Sequence, residues 1–305
     1  MGSGRGPPTG CPGRISAVAS SAALVVISPH LDDAVLSLGA HLAGRVRAGE
    51  QVEVWTAFTD GPSPDSAPRR LRRFGDYAAR RAEDDRALAV LGAGNRRLGL
   101  PERVWRTPPA HGLAAAFRTP EVRSGFTELP ALEAVAADLL IRPSTRLLAP
   151  LGVGHHVDHV EVAVAVLGTA LRLDALDRVG FYEDFYALGD GARRRHPVTG
   201  GRAGVDPDRH WAPGWAAPWE GLVLAATGWI GRGPSLDSYV PGFAELVWQA
   251  VPHPVDPWCE QRKLAAVAEY RSQTPALGGM RRLGPILRRA HRVRGGEVIW
   301  SARRP

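Results

Sequence analysis

The sequence predicts an α/β fold, a single domain in which helices flank a mostly parallel sheet, and three observations carry that reading. Two aliphatic runs, Ala23-Leu24-Val25-Val26-Ile27 and Thr145-Arg146-Leu147-Leu148-Ala149-Pro150, each pass through a histidine-bearing polar junction into a long stretch of helically spaced apolar residues. Strand-like and helix-like stretches alternate between them, as parallel strands joined by right-handed crossovers require. From about Asp190 the alternation breaks, and Pro197 to Pro218, with Trp211, Trp215 and the following Trp219, reads as an irregular tryptophan-rich excursion in the C-terminal part of the chain.

Residues 1–21 are rich in Gly, Pro and Ser, carry Arg5 and Arg14, and lack an apolar run of their own. They are expected to be a disordered leader and not a signal peptide, with the folded domain over residues 22–305. The run Ala23 to Ile27 has the length and β-branching of a strand buried on both faces. Pro29-His30-Leu31-Asp32-Asp33 then falls at that strand's C-terminal tip, and Val35, Leu38, Leu42 and Val46 lie on one face of a helix from Ala34 to Val46. A strand over Gln51–Phe58, a polar loop over Thr59–Pro68 and a helix from about Asp76 to Leu91 follow. A short strand at Arg97–Leu100, a loop-rich stretch to Thr127 and a helix over Ala131–Ile141 complete the first half.

The second aliphatic run predicts a strand over Thr145–Pro150, a glycine-rich loop over Leu151–His155 and a helix over Val157–Leu173. Beyond the excursion come strand-like Gly221–Ala226, a helix from about Cys259 to Arg271 and a final strand near Glu297–Ala302. No internal repeat and no second hydrophobic domain is visible. The expectation is one Rossmann-like domain, whose ligand site lies beyond the C-terminal ends of its strands.

Composition fits a catalyst. With 305 residues, 44% of them hydrophobic, the chain can bury one large core. No segment approaches the roughly 18 consecutive apolar residues of a membrane span. The net charge of +7 comes almost entirely from arginines scattered through the chain, with no nucleic-acid module among them. Alongside abundant Ala and Gly, they read as the coding bias of a GC-rich genome on a solvated surface. Cys11 and Cys259 are far apart and unpatterned, which excludes a disulfide framework and a thiolate zinc site and suits a reducing cytoplasm.

The two junctions carry the chemistry. An imidazole and a carboxylate suit a borderline divalent ion, and one further histidine completes the three protein ligands of a catalytic site. Side chains of consecutive aspartates diverge, so one of Asp32 and Asp33 can bind metal while the other handles protons. Aspartate at a helix start is also a routine cap, and His30 beside it is what points beyond capping. In Gly154-His155-His156-Val157-Asp158-His159, the spacing of His156 and His159 places both on one face of a first helical turn. One can ligate while the other stands beside the open coordination position, and Asp158 can fix an imidazole tautomer.

Pro29-His30-Leu31-Asp32-Asp33 followed far downstream by His156-Val157-Asp158-His159 resembles the two signature motifs of the PIG-L/LmbE-like superfamily. Its members are zinc-dependent de-N-acetylases acting on glycolipids, thiol-precursor glycosides and antibiotic intermediates that contain N-acetylglucosamine. Arg80 to Gly92 resembles the family's arginine- and glutamate-bearing helix, and Gly180-Phe181-Tyr182-Glu183-Asp184-Phe185 its later strand. The resemblance implies that His30, Asp33 and His159 bind Zn²⁺, or another transition metal such as Fe²⁺. Asp32 is then the general base, and His156 an imidazolium that stabilises the oxyanion or protonates the leaving amine, oriented by Asp158. Leu31 and Ala34, where relatives commonly have Pro and Glu, and Val157, where Pro is usual, are not ligand positions.

The expected function is metal-assisted removal of an N-acetyl or other N-acyl group from an amino sugar or an amino-sugar-containing intermediate of specialised metabolism. Alternatives are a tailoring hydrolase for a different amide and a silent metal-binding relative. The expected partner is a small N-acetylated molecule, with no nucleic acid and no membrane, in the cytoplasm. Trp211, Trp215 and Trp219 read either as a roof over the core or as an aromatic wall of the substrate cleft.

Overall fold

The computed structural model describes residues 23–62, 65, 75–106, 113–185, 190–200 and 231–305. Its strands are β1 (Leu24–Ser28), β2 (Val52–Asp60), β3 (Gly94–Pro101), β4 (Arg146–Pro150), β5 (Val179–Tyr182), β6 (Val247–His253) and β7 (Glu297–Arg303). They form one sheet in the order β3-β2-β1-β4-β5-β7-β6, parallel from β3 through β5, with β7 antiparallel to both of its neighbours. The helices are α1 (Asp33–Arg47), α2 (Tyr77–Leu91), α3 (Leu113–Ala116), α4 (Leu129–Ile141), α5 (Val157–Arg172), α6 (Asp190–Arg195), α7 (Pro257–Ala268) and α8 (Met280–Arg294).

The period-two alternation of β1 divides the core in two. Leu24 and Val26 pack with α1, α2, α7 and α8 on one face, whereas Val25 and Ile27 pack with α4 and α5 on the other. From β1 the chain winds outward to β2 and β3, then returns to place β4 on the opposite side of β1. The order therefore reverses between β1 and β4, and the crevice beyond their C-terminal ends is where an open α/β sheet binds its ligand. Both histidine motifs start there.

Before Asp190 the predicted elements lie within a few residues of the observed ones. The strand expected at Arg97–Leu100 is longer, and the helix expected at Cys259–Arg271 is α7, capped by the Asp256 carboxylate, which accepts from the Cys259 N–H at 2.8 Å. Besides the short helices α3 and α6, two longer elements were unanticipated. The edge strand β6 exposes Val247 and Val251 and carries Pro252, which an edge tolerates because its missing N–H is not needed there. In α8, Gly284-Pro285 reads as a breaker, yet Leu283, Ile286, Leu287 and Ala290 sit one helical face apart and are buried. The leader, Gly221–Ala226, half of the polar loop and the three tryptophans fall outside the described residues. Among the described residues no helix is long and apolar enough to cross a membrane.

A buried ion pair ties the antiparallel end of the sheet to α1. Glu297 at the start of β7 receives the Lys263 ammonium at 2.5 Å and the backbone N–H groups of Ala40 and His41 at 3.2 and 2.6 Å. Burial alone would raise the Glu297 carboxyl, but Lys263 and His291 outweigh it and hold it at about 2. A depressed folded-state pKa contributes stability above the unfolded carboxylate range, lost as pH falls through the folded value. Glu297→Gln should therefore cost roughly 3–5 kcal/mol at neutral pH, because Lys263 is left buried and unpaired. Urea melts should also show a flatter stability profile between about pH 4.5 and 2 than in the parent chain. Parallel acid limbs would place the linkage elsewhere.

Candidate metal centre

The first half of the site is built by how β1 ends. Ser28 donates its hydroxyl to the His30 carbonyl at 2.6 Å and accepts the Ala34 N–H at 3.0 Å, the service a helix cap would perform. Asp32 holds the N-cap position of α1, yet its side chain makes no capping hydrogen bond. With Ser28 serving the helix end, the partly exposed Asp32 carboxylate is not committed to it. Asp33, one residue on, turns inward and is buried.

The second half is built by the loop after β4. Gly152 and Gly154 take left-handed backbone at φ 78° and 93°, and a β-carbon on Gly152 would press against Val160 at 3.1 Å. His155 shares that region at φ 60°. His156 is the N-cap of α5 and not part of its first turn, and its Nδ1 accepts the Asp158 N–H at 3.3 Å. His159 follows inside the helix, fully buried, its ring centroid 5.0 Å from that of His156.

Three donor atoms from the two halves converge. Asp33 Oδ2 lies 3.0 Å from both His30 Nδ1 and His159 Nε2, and those nitrogens are 3.2 Å apart. A tetrahedral zinc site with bonds of about 2.0–2.1 Å has ligand atoms about 3.3 Å apart, so the triangle is of a size to hold such an ion. His156 also offers a nitrogen within 4.8 Å of those on His30 and His159.

Carboxylates back both imidazoles. His30 Nε2 meets Asp158 Oδ2 at 2.9 Å, and His159 Nδ1 meets Asp184 Oδ1 at 2.5 Å. Asp184 also accepts the Val153 N–H at 2.7 Å, fixing the glycine-rich loop. Asp158 accepts the Arg103 N–H at 3.0 Å and is paired with Arg106. The buried Arg106 guanidinium in turn reaches Glu161 at 2.7 Å and the Pro101 carbonyl at 2.9 Å, and lies 4.6 Å from the centre of the Phe58 ring.

The electrostatics favour a cation in this pocket. Burial would lower His159, but Asp33 and Asp184 outweigh it and raise it to about 9. His30 is raised as well, against its burial, by Glu102, Asp158 and Asp33. Asp33 is held low despite burial by His159 and His30. Burial and the neighbouring Asp33 push Asp32 up to about 6, with Arg80 opposing. A pocket that draws protons onto two imidazoles offers a divalent cation the same attraction.

The sequence expectations therefore divide. His30, Asp32, Asp33, His156, Asp158 and His159 all meet at the tips of β1 and β4. The Asp158 carboxylate backs His30, and the Asp158 backbone N–H reaches His156 Nδ1. His156 Nδ1 accepts that N–H, and burial lowers the ring from its usual pKa. A neutral ring then carries its proton on Nε2. Arg106, Asp184 and Ser28 were missed as site residues. Asp184 had a readable signal, an acidic residue just past the tip of the strand beside β4.

Residues 25–170 match the family described as GlcNAc-PI de-N-acetylase, PIG-L. Over those residues, just under half of its length, the chain is similar to that family. It is 33% identical over 190 residues to the 2'-N-acetylparomamine deacetylase of Streptomyces fradiae, a match spanning 61% of this chain and 61% of that relative. A solved deacetylase of the teicoplanin biosynthesis pathway has 22% identity and a TM-score of 0.65, covering 93% of this chain and 98% of its own. The zinc-inhibited form of teicoplanin deacetylase Orf2 has 21% identity and a TM-score of 0.63, with the same coverage. These two likenesses carry the fold agreement across almost the whole chain.

Carboxylates that hold metal-binding imidazoles typically govern affinity by about 10–100-fold. Asp184→Asn should lower divalent-metal affinity by that factor, beyond any loss in melting temperature of the metal-free protein from breaking its buried pair with His159. Competition with a fluorescent chelator measures it, and unchanged affinity would confine Asp184 to holding the Val153 loop.

Proposed function

We propose that this chain is a metal-dependent amide hydrolase that removes an N-acetyl group from an amino sugar, or from an intermediate that contains one, in specialised metabolism. The observation that carries the reading is the triangle of His30 Nδ1, Asp33 Oδ2 and His159 Nε2 with Asp32, uncommitted to its helix, next to Asp33 in sequence. The acyl group and substrate class of this reading are supported by the likeness to 2'-N-acetylparomamine deacetylase. In this reading His30, Asp33 and His159 hold a divalent ion, with zinc the first candidate for two imidazoles and a carboxylate. When bound, the ion polarises the acyl carbonyl and lowers the pKa of the attacking water.

The chain's own groups supply the rest. Asp32 takes the proton from the attacking water, a role its partly exposed carboxylate is free to play. His156, with Nδ1 engaged by the Asp158 N–H, presents Nε2–H toward the carbonyl oxygen as negative charge develops. A neutral donor at that position leaves Asp32 as the group that returns the proton to the departing nitrogen. Asp158 and Asp184 keep His30 and His159 in one tautomer and one orientation. Arg106 compensates the buried Asp158 and Glu161 charges, which would otherwise destabilise the fold.

The test is acetate release from a panel of N-acetylated aminoglycosides, glycopeptides and N-acetylglucosamine glycosides, followed by mass spectrometry on protein loaded with zinc. Asp32→Asn should keep stoichiometric metal and lose about 10²–10⁴-fold in kcat, the usual scale for a general base. His30→Ala and Asp33→Ala should lose metal and activity together. A wild-type rate in Asp32→Asn would remove the base assignment, and full metal occupancy in both alanine variants would remove the ligand assignment.

A further inference from the structure

At the end of the sheet opposite the metal centre, β1, β4 and β5 begin at Leu24, Arg146 and Val179, and a cavity of about 210 Å³ opens against them. Its walls bring together residues remote in sequence: His41 and Arg45 from α1, Arg146 from β4, Arg178 from the turn before β5, and His253 from β6. The rings of His41 and His253 stand 4.5 Å apart at 62°. The metal mechanism uses none of these groups.

The charges are unevenly compensated. Arg45 is paired with Glu50 at 2.5 Å. Arg178 donates to the carbonyls of Leu140 and Arg142, at 2.6 and 2.9 Å respectively, and has no carboxylate partner among the described residues. Arg146 has no hydrogen-bond acceptor and no carboxylate partner among the described residues. Asp177 is the one carboxylate lining the cavity, and Glu297 beneath it is already satisfied by Lys263 and the α1 backbone. The surroundings register this balance: burial, the neighbouring His253, Arg45 and Arg146 hold His41 down at about 4 against Glu297, and His253 is lowered by burial, Arg45 and Arg146.

A concave, half-enclosed site with converging arginines focuses a positive potential where a guanidinium fork can take two oxygens of one phosphate. Two neutral imidazoles at its wall add donors without adding charge. We propose that the cavity lined by His41, Arg45, Arg146, Arg178 and His253 is a second ligand site, for a small phosphate ester, separate from the metal centre. Its volume accommodates the phosphate together with a small organic body, and the apolar side chains of Leu24, Val251 and Ile299 line the same space to receive that body.

Isothermal titration of the zinc-loaded protein with inorganic phosphate and with glucose 6-phosphate tests the proposal. The expected result is one saturable site, tighter for the sugar phosphate. Arg146→Glu and Arg146→Gln should weaken it by about tenfold or more, as expected for loss of a hydrogen bond to a charged group. Melting temperature and acetate release should match the parent's, because Arg146 is exposed and lies at the end of the sheet opposite the metal centre. Binding equally strong in the Arg146 variants would place the anion elsewhere, at the metal centre included, and would overturn the assignment. The absence of saturable heat in the parent protein would overturn it as well.

Discussion

Three carboxylates, Asp33, Asp158 and Asp184, are buried around two imidazoles, and most of the architecture at the tips of β1 and β4 follows from keeping that arrangement tolerable. Buried anions of this density are unstable without positive charge or dense hydrogen bonding. His30 and His159 engage all three carboxylates and share Asp33, Arg106 takes part of Asp158, and backbone N–H groups of His30, Arg103 and Val153 take oxygens of Asp33, Asp158 and Asp184 in turn. The pocket is consequently rigid, since each donor is fixed by a partner on a different element. It is also poised for a cation, which the same carboxylates would attract more strongly than a proton.

That constraint explains the division of labour between neighbouring residues. Asp33 is satisfied by His30 and His159 and cannot act as a base. Asp32 is released from capping by Ser28 and held near Asp33, which disfavours its charged form and matches a group that must accept a proton and give it up. The same separation recurs in α5, where His156 at the cap has one nitrogen engaged by the backbone and His159 is held inside the helix by Asp184.

The sequence displayed the strand tips and the identities of the residues there, because buried strands and amphipathic helices leave period-two and period-3.6 signatures that do not depend on distant partners. What it could not display is which nitrogen a carboxylate reaches. Asp158 lies within two residues of both histidines of its motif, yet α5 turns its carboxylate toward His30, 128 residues away. Arg106 was hidden for a related reason: it comes from a loop-rich stretch with no periodicity and gains meaning only when α5 brings Asp158 and Glu161 beneath it. The helix α8 was masked by Gly284-Pro285 even though its apolar spacing is regular, and the alternation of β6 is weak because most of that edge strand faces solvent.

The central claim is that two histidines and one aspartate, and not three histidines, hold the metal. X-ray absorption spectroscopy at the zinc edge of the loaded protein reads this directly. The account predicts two imidazoles plus oxygen ligands, a spectrum unchanged in His156→Ala and altered in His159→Ala. Three imidazoles in the parent protein, reduced to two in His156→Ala, would contradict it and would return His156 to the ligand set.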